Sequence, residues 1–240
     1  MFELTLINFN KKLSFLSLIF MILSIVIVYF ICVYNASFEL SEYYLLDQRD
    51  IVVGNYLTDT LQMIEFIGVI FIILLVELEL FYNTDNFDSY FVVLKGKTKY
   101  FIAKITSYLI IIFLYTVILF LGFILIYIIR FKSMVYIQLI YNCFACYFLY
   151  FLVLFLVSYF VMILFKNYYS VILTFLYYWA TKIIENKNSL LKIILPKLTV
   201  DIENNNVAFE CNVWYLLLFV GILYIINMYI YKDKDMKVHS

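Results

Sequence analysis

The residues with the most suggestive chemical pattern are Lys-Gly-Lys-Thr at Lys95–Thr98, because a phosphate-binding loop can end in the same residue types. Such a loop also needs a glycine five residues before the glycine of this string, so that its backbone N–H groups surround the phosphates. Phe91 occupies that position. We therefore expect no ATP site in this chain.

Nucleophilic and metal chemistry also have few residues to use. The only histidine is His239, so no serine or cysteine in the apolar runs has a histidine partner there. Cys143 and Cys146 form a C-x-x-C pair, but a metal site would need a second pair or a nearby histidine. We expect this pair to pack in the core, and we expect a chain that is not an enzyme and holds neither metal nor cofactor.

One acidic residue, Glu65, lies within an otherwise apolar stretch, where a carboxylate is costly and a functional role is the default hypothesis. It is predicted about two helical turns below the outer membrane surface. Gln62 is one turn away and is predicted to share its helix face. The two residues could line a polar cavity on a substrate path, bind a cationic substrate group, or pair across a subunit interface.

The elements that position these residues follow from composition. The chain has 66% apolar and only 14% charged residues, with a mean hydropathy of +0.99, which indicates an integral membrane protein. A span needs ~20 apolar residues, and Lys182 can extend a short span by reaching the headgroups. The predicted fold is all-α, a single polytopic domain over residues 1–240 with six spans at about 13–34, 57–80, 105–129, 134–165, 168–184 and 213–231.

Charge distribution sets the expected orientation. Most of the 17 Lys and Arg residues fall on the side of the two termini, which predicts cytoplasmic termini in a cell membrane. The chain is expected to be bacterial. The formal net charge is zero, so nothing favours nucleic-acid binding.

The loop between the second and third spans has a helical pattern. Apolar residues recur at helical spacing, a polar residue at 83–85 can cap the start, and Gly96 can close the end. This predicts a surface helix over 84–95, followed by Lys97 and Lys104 at headgroup level on the inner surface. An ordinary solvated connector with lysines that orient the protein remains an alternative. The apolar stripe consists of Phe87, Tyr90, Phe91 and Leu94.

A second loop, 185–212, is too apolar for a free connection and contains the only proline, Pro196. It predicts a short interfacial or re-entrant helix at 189–198 that stops near this proline. A passive packing segment is the alternative.

This layout resembles the type-2 ABC exporter permeases. The resemblance rests on the six spans, an amphipathic N-terminal helix in Met1–Lys12, Glu77 and Glu79 closing the second span, the helix at Asp85–Leu94, and Lys97 seven residues before Lys104. The chain departs from the family at Thr84-Asp85, where Gly-Thr is frequent, and at Leu94–Lys97, where Pro-x-Ser-Arg is frequent.

The resemblance implies that two permease subunits face each other and that each rests its coupling helix on a cytoplasmic ATPase subunit, which binds the ATP. The coupling residues would be Asp85, Phe87, Asp88, Tyr90, Phe91 and Leu94. The expected function is export of a hydrophobic or amphipathic substrate, with an antimicrobial or other peptide favoured. The alternatives are a non-transporting membrane scaffold for immunity or signalling, and an uptake subunit that captures a small molecule.

Overall fold

The structure is a computed structural model that describes residues 15–46, 49–82, 92, 96–132, 136–165, 172–179, 197–201, 206–210 and 213–233. Its elements in chain order are α1 (Phe15–Leu46), α2 (Arg49–Tyr82), α3 (Lys97–Phe131), α4 (Ile137–Phe165), α5 (172–179), β1 (Lys197–Asp201), β2 (Asn206–Glu210) and α6 (Val213–Asp233).

Five of these helices are long and apolar enough to cross a membrane, as judged by length and composition. They are Leu18–Ser37, Val52–Val76, Lys97–Phe131, Ile137–Phe165 and Val213–Lys232. The prediction of a helical, membrane-embedded protein is thus confirmed, and five of the six predicted spans have a counterpart. Of the sixth, at 168–184, the structure describes only α5. The predicted amphipathic helix in Met1–Lys12 lies outside the described residues.

The centre of the bundle is formed by α2, α3 and α4, while α1 and α6 lie at the periphery. α1 packs against α2 and α3, and α6 packs against α4 and α3. Because lipid tails are as apolar as the side chains, close packing has to hold such helices together. Large rings supply much of it: Phe71 of α2 stacks on Tyr115 of α3 with ring centroids 3.8 Å apart, and Tyr108 of α3 lies 4.6 Å from Phe155 of α4.

The relative directions of the helices follow from contacts near the start of α3. The ring of Phe101 lies 5.2 Å from that of Tyr231, near the end of α6, and 6.3 Å from that of Tyr159, near the end of α4. The Nζ of Lys97 donates a hydrogen bond of 3.2 Å to the carbonyl oxygen of Lys232. The ends of α4 and α6 therefore lie at the same end of the bundle, and these two helices run in parallel.

A small antiparallel hairpin adds to the predicted all-α fold. β1 pairs with β2, with Lys197 opposite Glu210 and Asp201 opposite Asn206. β1 contacts α2, and β2 contacts α4. Of the predicted segment 189–198, Lys197 and Leu198 are in β1, and residues 189–196, where the helix before Pro196 is predicted, lie outside the described residues. The alternation of Leu-Thr-Val-Asp after Pro196 suits a strand better than a helix.

Candidate functional site in the helical bundle

Glu65 lies inside the bundle, with only 2% of its surface exposed. It sits on α2 near the middle of the candidate span Val52–Val76. Burial in an apolar bundle has a high cost for a charged group, so the surrounding residues decide what Glu65 can do.

The residues around Glu65 come from two other helices. Tyr147 of α4 interacts electrostatically with Glu65, and also with Tyr150 of α4 and Tyr178 of α5. Each of these tyrosines is buried, with no more than 7% of its surface exposed. The Glu65 cluster, consisting of Glu65, Tyr147, Tyr150 and Tyr178, therefore joins α2, α4 and α5 inside the membrane-spanning bundle.

A glycine next to this cluster explains how α2 and α4 approach so closely. Gly68 is one turn after Glu65, and a Cβ atom placed there would lie 2.1 Å from Cζ of Phe151. Phe151 is fully buried on α4. Since small residues allow membrane helices to pack at short distance, Gly68 lets α2 approach α4 closely one turn away from Glu65.

The chemistry available to this cluster is polar binding. A carboxylate accepts hydrogen bonds from phenolic hydroxyls and attracts a cationic group, whereas a protonated carboxyl donates a hydrogen bond. Across the part of the chain that the structure describes, no group of three or more His, Cys, Asp or Glu residues could hold a metal ion. Cys143 and Cys146 are both buried, as expected for core packing. The arrangement suits recognition of a cation or a structural polar contact between helices.

Gln62 does not share the buried position of Glu65. Gln62 is exposed on the outside of α2, whereas Glu65 faces the interior. Residues three apart on a helix differ by ~60° in direction, which allows one to be buried and the other exposed. The place of Gln62 and Glu65 on a substrate path stays a prediction.

The two predicted inner-surface lysines also differ. Lys97, at the first residue of α3, is half-buried and caps the last carbonyls of α6 through its bond to Lys232. Lys104 is only 3% exposed, and its Nζ lies 5.8 Å from the ring centroid of Tyr100. Because α3 begins at Lys97, Lys104 lies ~10 Å along the helix from its start. Its position at headgroup level stays a prediction.

The six predicted coupling residues, at 85, 87, 88, 90, 91 and 94, lie outside the described residues. Two nearby positions are described. Val92 is helical and packs against the core, and the N–H of Gly96 donates to the carbonyl oxygen of Val92 at 2.8 Å. Gly96 has a φ of 84°, which a side chain would disfavour. The expectation that Gly96 closes a helical turn agrees with this geometry.

One polar residue that sequence reasoning missed is Asn227 of α6. It is fully buried, and its Nδ2 donates to the carbonyl oxygens of Leu156 on α4, at 3.1 Å, and Leu223, at 2.9 Å. An amide within the apolar run of α6 was the available signal, because membrane helices use such residues to bond with one another. Asn227 thus fixes α6 against α4.

The fold and the buried polar cluster define a polytopic helical membrane protein with an ionisable residue inside its bundle. Comparison with protein-family models, curated proteins and solved structures finds no match for the chain.

Proposed function

We propose that this chain is the membrane-spanning permease subunit of an ABC exporter, working with separate cytoplasmic ATPase subunits that bind ATP. The observation that carries the proposal is the hydrogen bond from the N–H of Gly96 to the carbonyl oxygen of Val92, because Val92 packs against the core and Gly96 directly precedes α3. A short element at this position can transmit a push from a soluble partner to a membrane helix. Both termini would lie in the cytoplasm of a bacterial cell.

A count of six spans is supported by the parallel directions of α4 and α6. The end of α4 lies beside the start of α3, and so does the end of α6. The chain that leaves α4 must therefore return to the opposite end of the bundle before α6 begins. One further crossing within 166–212 meets this requirement, and α5, whose Tyr178 interacts electrostatically with Tyr147, is a part of that segment.

The position of Val92 supports a partner-facing role for the predicted stripe. A regular helix turns ~100° per residue. If the predicted helix 84–95 is regular, a Val92 that faces the bundle places the centre of the Phe87, Tyr90, Phe91 and Leu94 stripe ~150° away. The stripe would then face a cytoplasmic partner, where an ATPase surface could bury it.

The proposed cargo is a hydrophobic or amphipathic molecule, with a peptide favoured. Support comes from the Glu65 cluster, which combines one carboxyl group with aromatic surfaces at mid-membrane depth. An amphipathic peptide with a basic group offers the complementary chemistry. A second permease subunit, identical or related, would complete the route.

The test is to co-express the chain with candidate cytoplasmic ATPases from the same genome, purify it in detergent or nanodiscs, and measure ATP hydrolysis. We expect an ATPase to co-purify, and we expect Tyr90→Ala and Leu94→Asp to reduce both co-purification and permease-stimulated hydrolysis. The matched control is Tyr141→Ala, which removes a tyrosine that is 67% exposed at the start of α4, the opposite end of the bundle.

If no ATPase co-purifies with a folded chain, the exporter proposal is wrong and the scaffold alternative replaces it. If an ATPase binds but Tyr90→Ala, Leu94→Asp and the Tyr141→Ala control behave alike, the predicted coupling residues are wrong and the partner contacts the permease elsewhere.

A further inference from the structure

The two long helices that carry the Glu65 cluster, α2 and α4, begin at the same end of the bundle, which we call the hairpin end. α2 begins there because the ring of Tyr56, near its start, lies 4.9 Å from that of Phe131, the last residue of α3. α4 begins there because its end lies beside the start of α3. Tyr147 is ~15 Å along α4 from this end.

The β1–β2 hairpin bridges the two helices at this end, because β1 contacts α2 and β2 contacts α4. The hydrogen bond from Asn227 to Leu156 sets the level of α6 against α4. Counting back along both helices places Val213, the first residue of α6, ~8 Å from the level of Tyr147. The chain from Glu210, the last residue of β2, to Val213 spans at most ~11 Å. The hairpin therefore lies within a few helical turns of the cluster.

On the other side, helix packing closes the cluster. Gly68 is one turn beyond Glu65, and the contact that its Cβ would make with Phe151 shows that α2 and α4 leave no room between them there. α5 covers the cluster with Tyr178 and exposes apolar side chains such as Leu176. A charged ligand that reaches the cluster within this chain therefore arrives from the hairpin end.

The hairpin has one polar and one apolar face. Residues at alternate positions of a strand share a face, and directly paired residues of neighbouring strands do so as well. The register thus groups Lys197, Asp201 and Glu210 on one face, and Leu198 and Phe209 on the other. Such a sheet suits a position between water and apolar residues.

The cluster combines one carboxyl group with three tyrosine rings, and none of these side chains is more than 7% exposed. A carboxylate attracts a cation, and aromatic faces attract it further, most strongly where water is excluded. An alkylammonium group suits this environment because it joins a positive charge to apolar carbons. A metal ion suits it less, since one carboxylate supplies too few oxygen ligands.

We propose that the Glu65 cluster binds an alkylammonium group within a single chain, and that this group enters from the hairpin end. The proposal deepens the proposed function, on which it rests for the cargo: it names the chemical class of the basic group and places its site inside one permease subunit. Binding at the cluster does not need the ATPase, so the two proposals can be tested separately.

The binding test is titration calorimetry of the purified full chain in maltoside micelles, with choline as the probe and its neutral isostere dimethylbutanol as the control ligand. We expect choline to bind at least about tenfold more tightly than the isostere. Glu65→Gln removes the charge and should weaken choline binding at least about tenfold. Tyr147→Leu should weaken it several-fold, whereas Tyr147→Phe, which keeps the ring, should not. Asp59→Asn, which changes an exposed acid of the same helix, is the matched control.

The route is tested in a chain whose 4 cysteines are replaced by alanine. Glu65→Cys and Ile72→Cys place a thiol on either side of Gly68, at buried positions two turns apart on one side of α2. A membrane-impermeant trimethylammonium thiol reagent, added from the side of the hairpin end, should label Glu65→Cys and not Ile72→Cys.

The proposal is overturned if choline binds no better than the isostere, if Glu65→Gln binds choline as the unaltered chain does, or if Asp59→Asn weakens binding equally. If Glu65→Gln does not fold by circular dichroism, equal binding by Tyr147→Leu and Tyr147→Phe overturns it. Labelling of Ile72→Cys as fast as Glu65→Cys refutes the route. Choline binding without a co-purifying ATPase refutes only the exporter, whereas a bound ATPase without choline binding refutes only this site.

Discussion

The contact between Gly68 and Phe151 makes the packing of α2 on α4 directly testable. In Gly68→Ala, the new Cβ would lie 2.1 Å from Cζ of Phe151, whereas ordinary contact begins at 3.4 Å. The ring or the helices must therefore move by the difference, about 1.3 Å. Because Phe151 is fully buried, its ring has no free space to enter.

Overpacking of this kind costs ~1–3 kcal/mol, which corresponds to a change of roughly fivefold to 150-fold in the unfolding equilibrium. Alanine is also a better helix former than glycine by up to ~1 kcal/mol, which offsets part of the loss. Gly221→Ala on α6 is the matched control, because a Cβ there meets nothing within 4 Å. The difference in stability between the two variants isolates the packing cost.

The assay is reversible unfolding in mixed micelles, followed by far-UV circular dichroism, with the free energy of unfolding compared across the variants. Gly68→Ala should be less stable than Gly221→Ala, and Phe151→Leu in the Gly68→Ala background should recover part of the difference, as a double-mutant cycle would show. Equal stability of Gly68→Ala and Gly221→Ala would refute the close approach of α2 and α4.

Two further predictions concern single polar groups. Tyr29→Phe removes the 2.7 Å hydrogen bond from the Tyr29 hydroxyl to a backbone carbonyl of α3 and should lower the free energy of unfolding by ~0.5–1.5 kcal/mol, while Tyr34→Phe, at a position 63% exposed, should leave it unchanged. An unchanged stability for Tyr29→Phe would exclude the α1–α3 contact. Glu65→Gln keeps the shape of the side chain and removes its charge, so efflux of a cationic peptide from vesicles should fall at least about tenfold if the carboxylate binds the cargo, since hydrogen bonds to charged groups are worth ~1.5–3 kcal/mol. Undiminished efflux would leave Glu65 with a packing role alone.

The spans could be predicted from the sequence because uncharged apolar runs of this length are typical of membrane-spanning helices. The ends of the helices could not be predicted from the sequence. α3 begins at Lys97, within a cluster of lysines that the sequence indicated as surface residues. Lys97 fits there because it caps α6, and Lys104 fits because its charge lies near the ring of Tyr100. The contact of Lys97 joins two helices that are distant in sequence, whereas the contact of Lys104 with Tyr100 lies one turn away within α3.

The candidate site could likewise be predicted from the sequence only in part. The residue type of Glu65 predicts a free-energy cost in a membrane. The sequence does not predict which residues of α4 and α5 lie near it. The three-residue spacing of Gln62 and Glu65 predicts that their side chains point in nearby directions from α2. It does not predict which of the two side chains the other helices cover. The close approach of α2 to α4 at Gly68 and Phe151 is a tertiary contact that the spacing does not reveal.

The hydrogen bond from Lys97 to the last turn of α6 has a mechanical consequence. Gly96, with its positive φ, joins the turn at Val92 to the first residue of α3, and that residue is bonded to the carbonyl oxygen of Lys232. A displacement of Gly96 would therefore act on the start of α3 and, through the Lys97 hydrogen bond, on the last turn of α6.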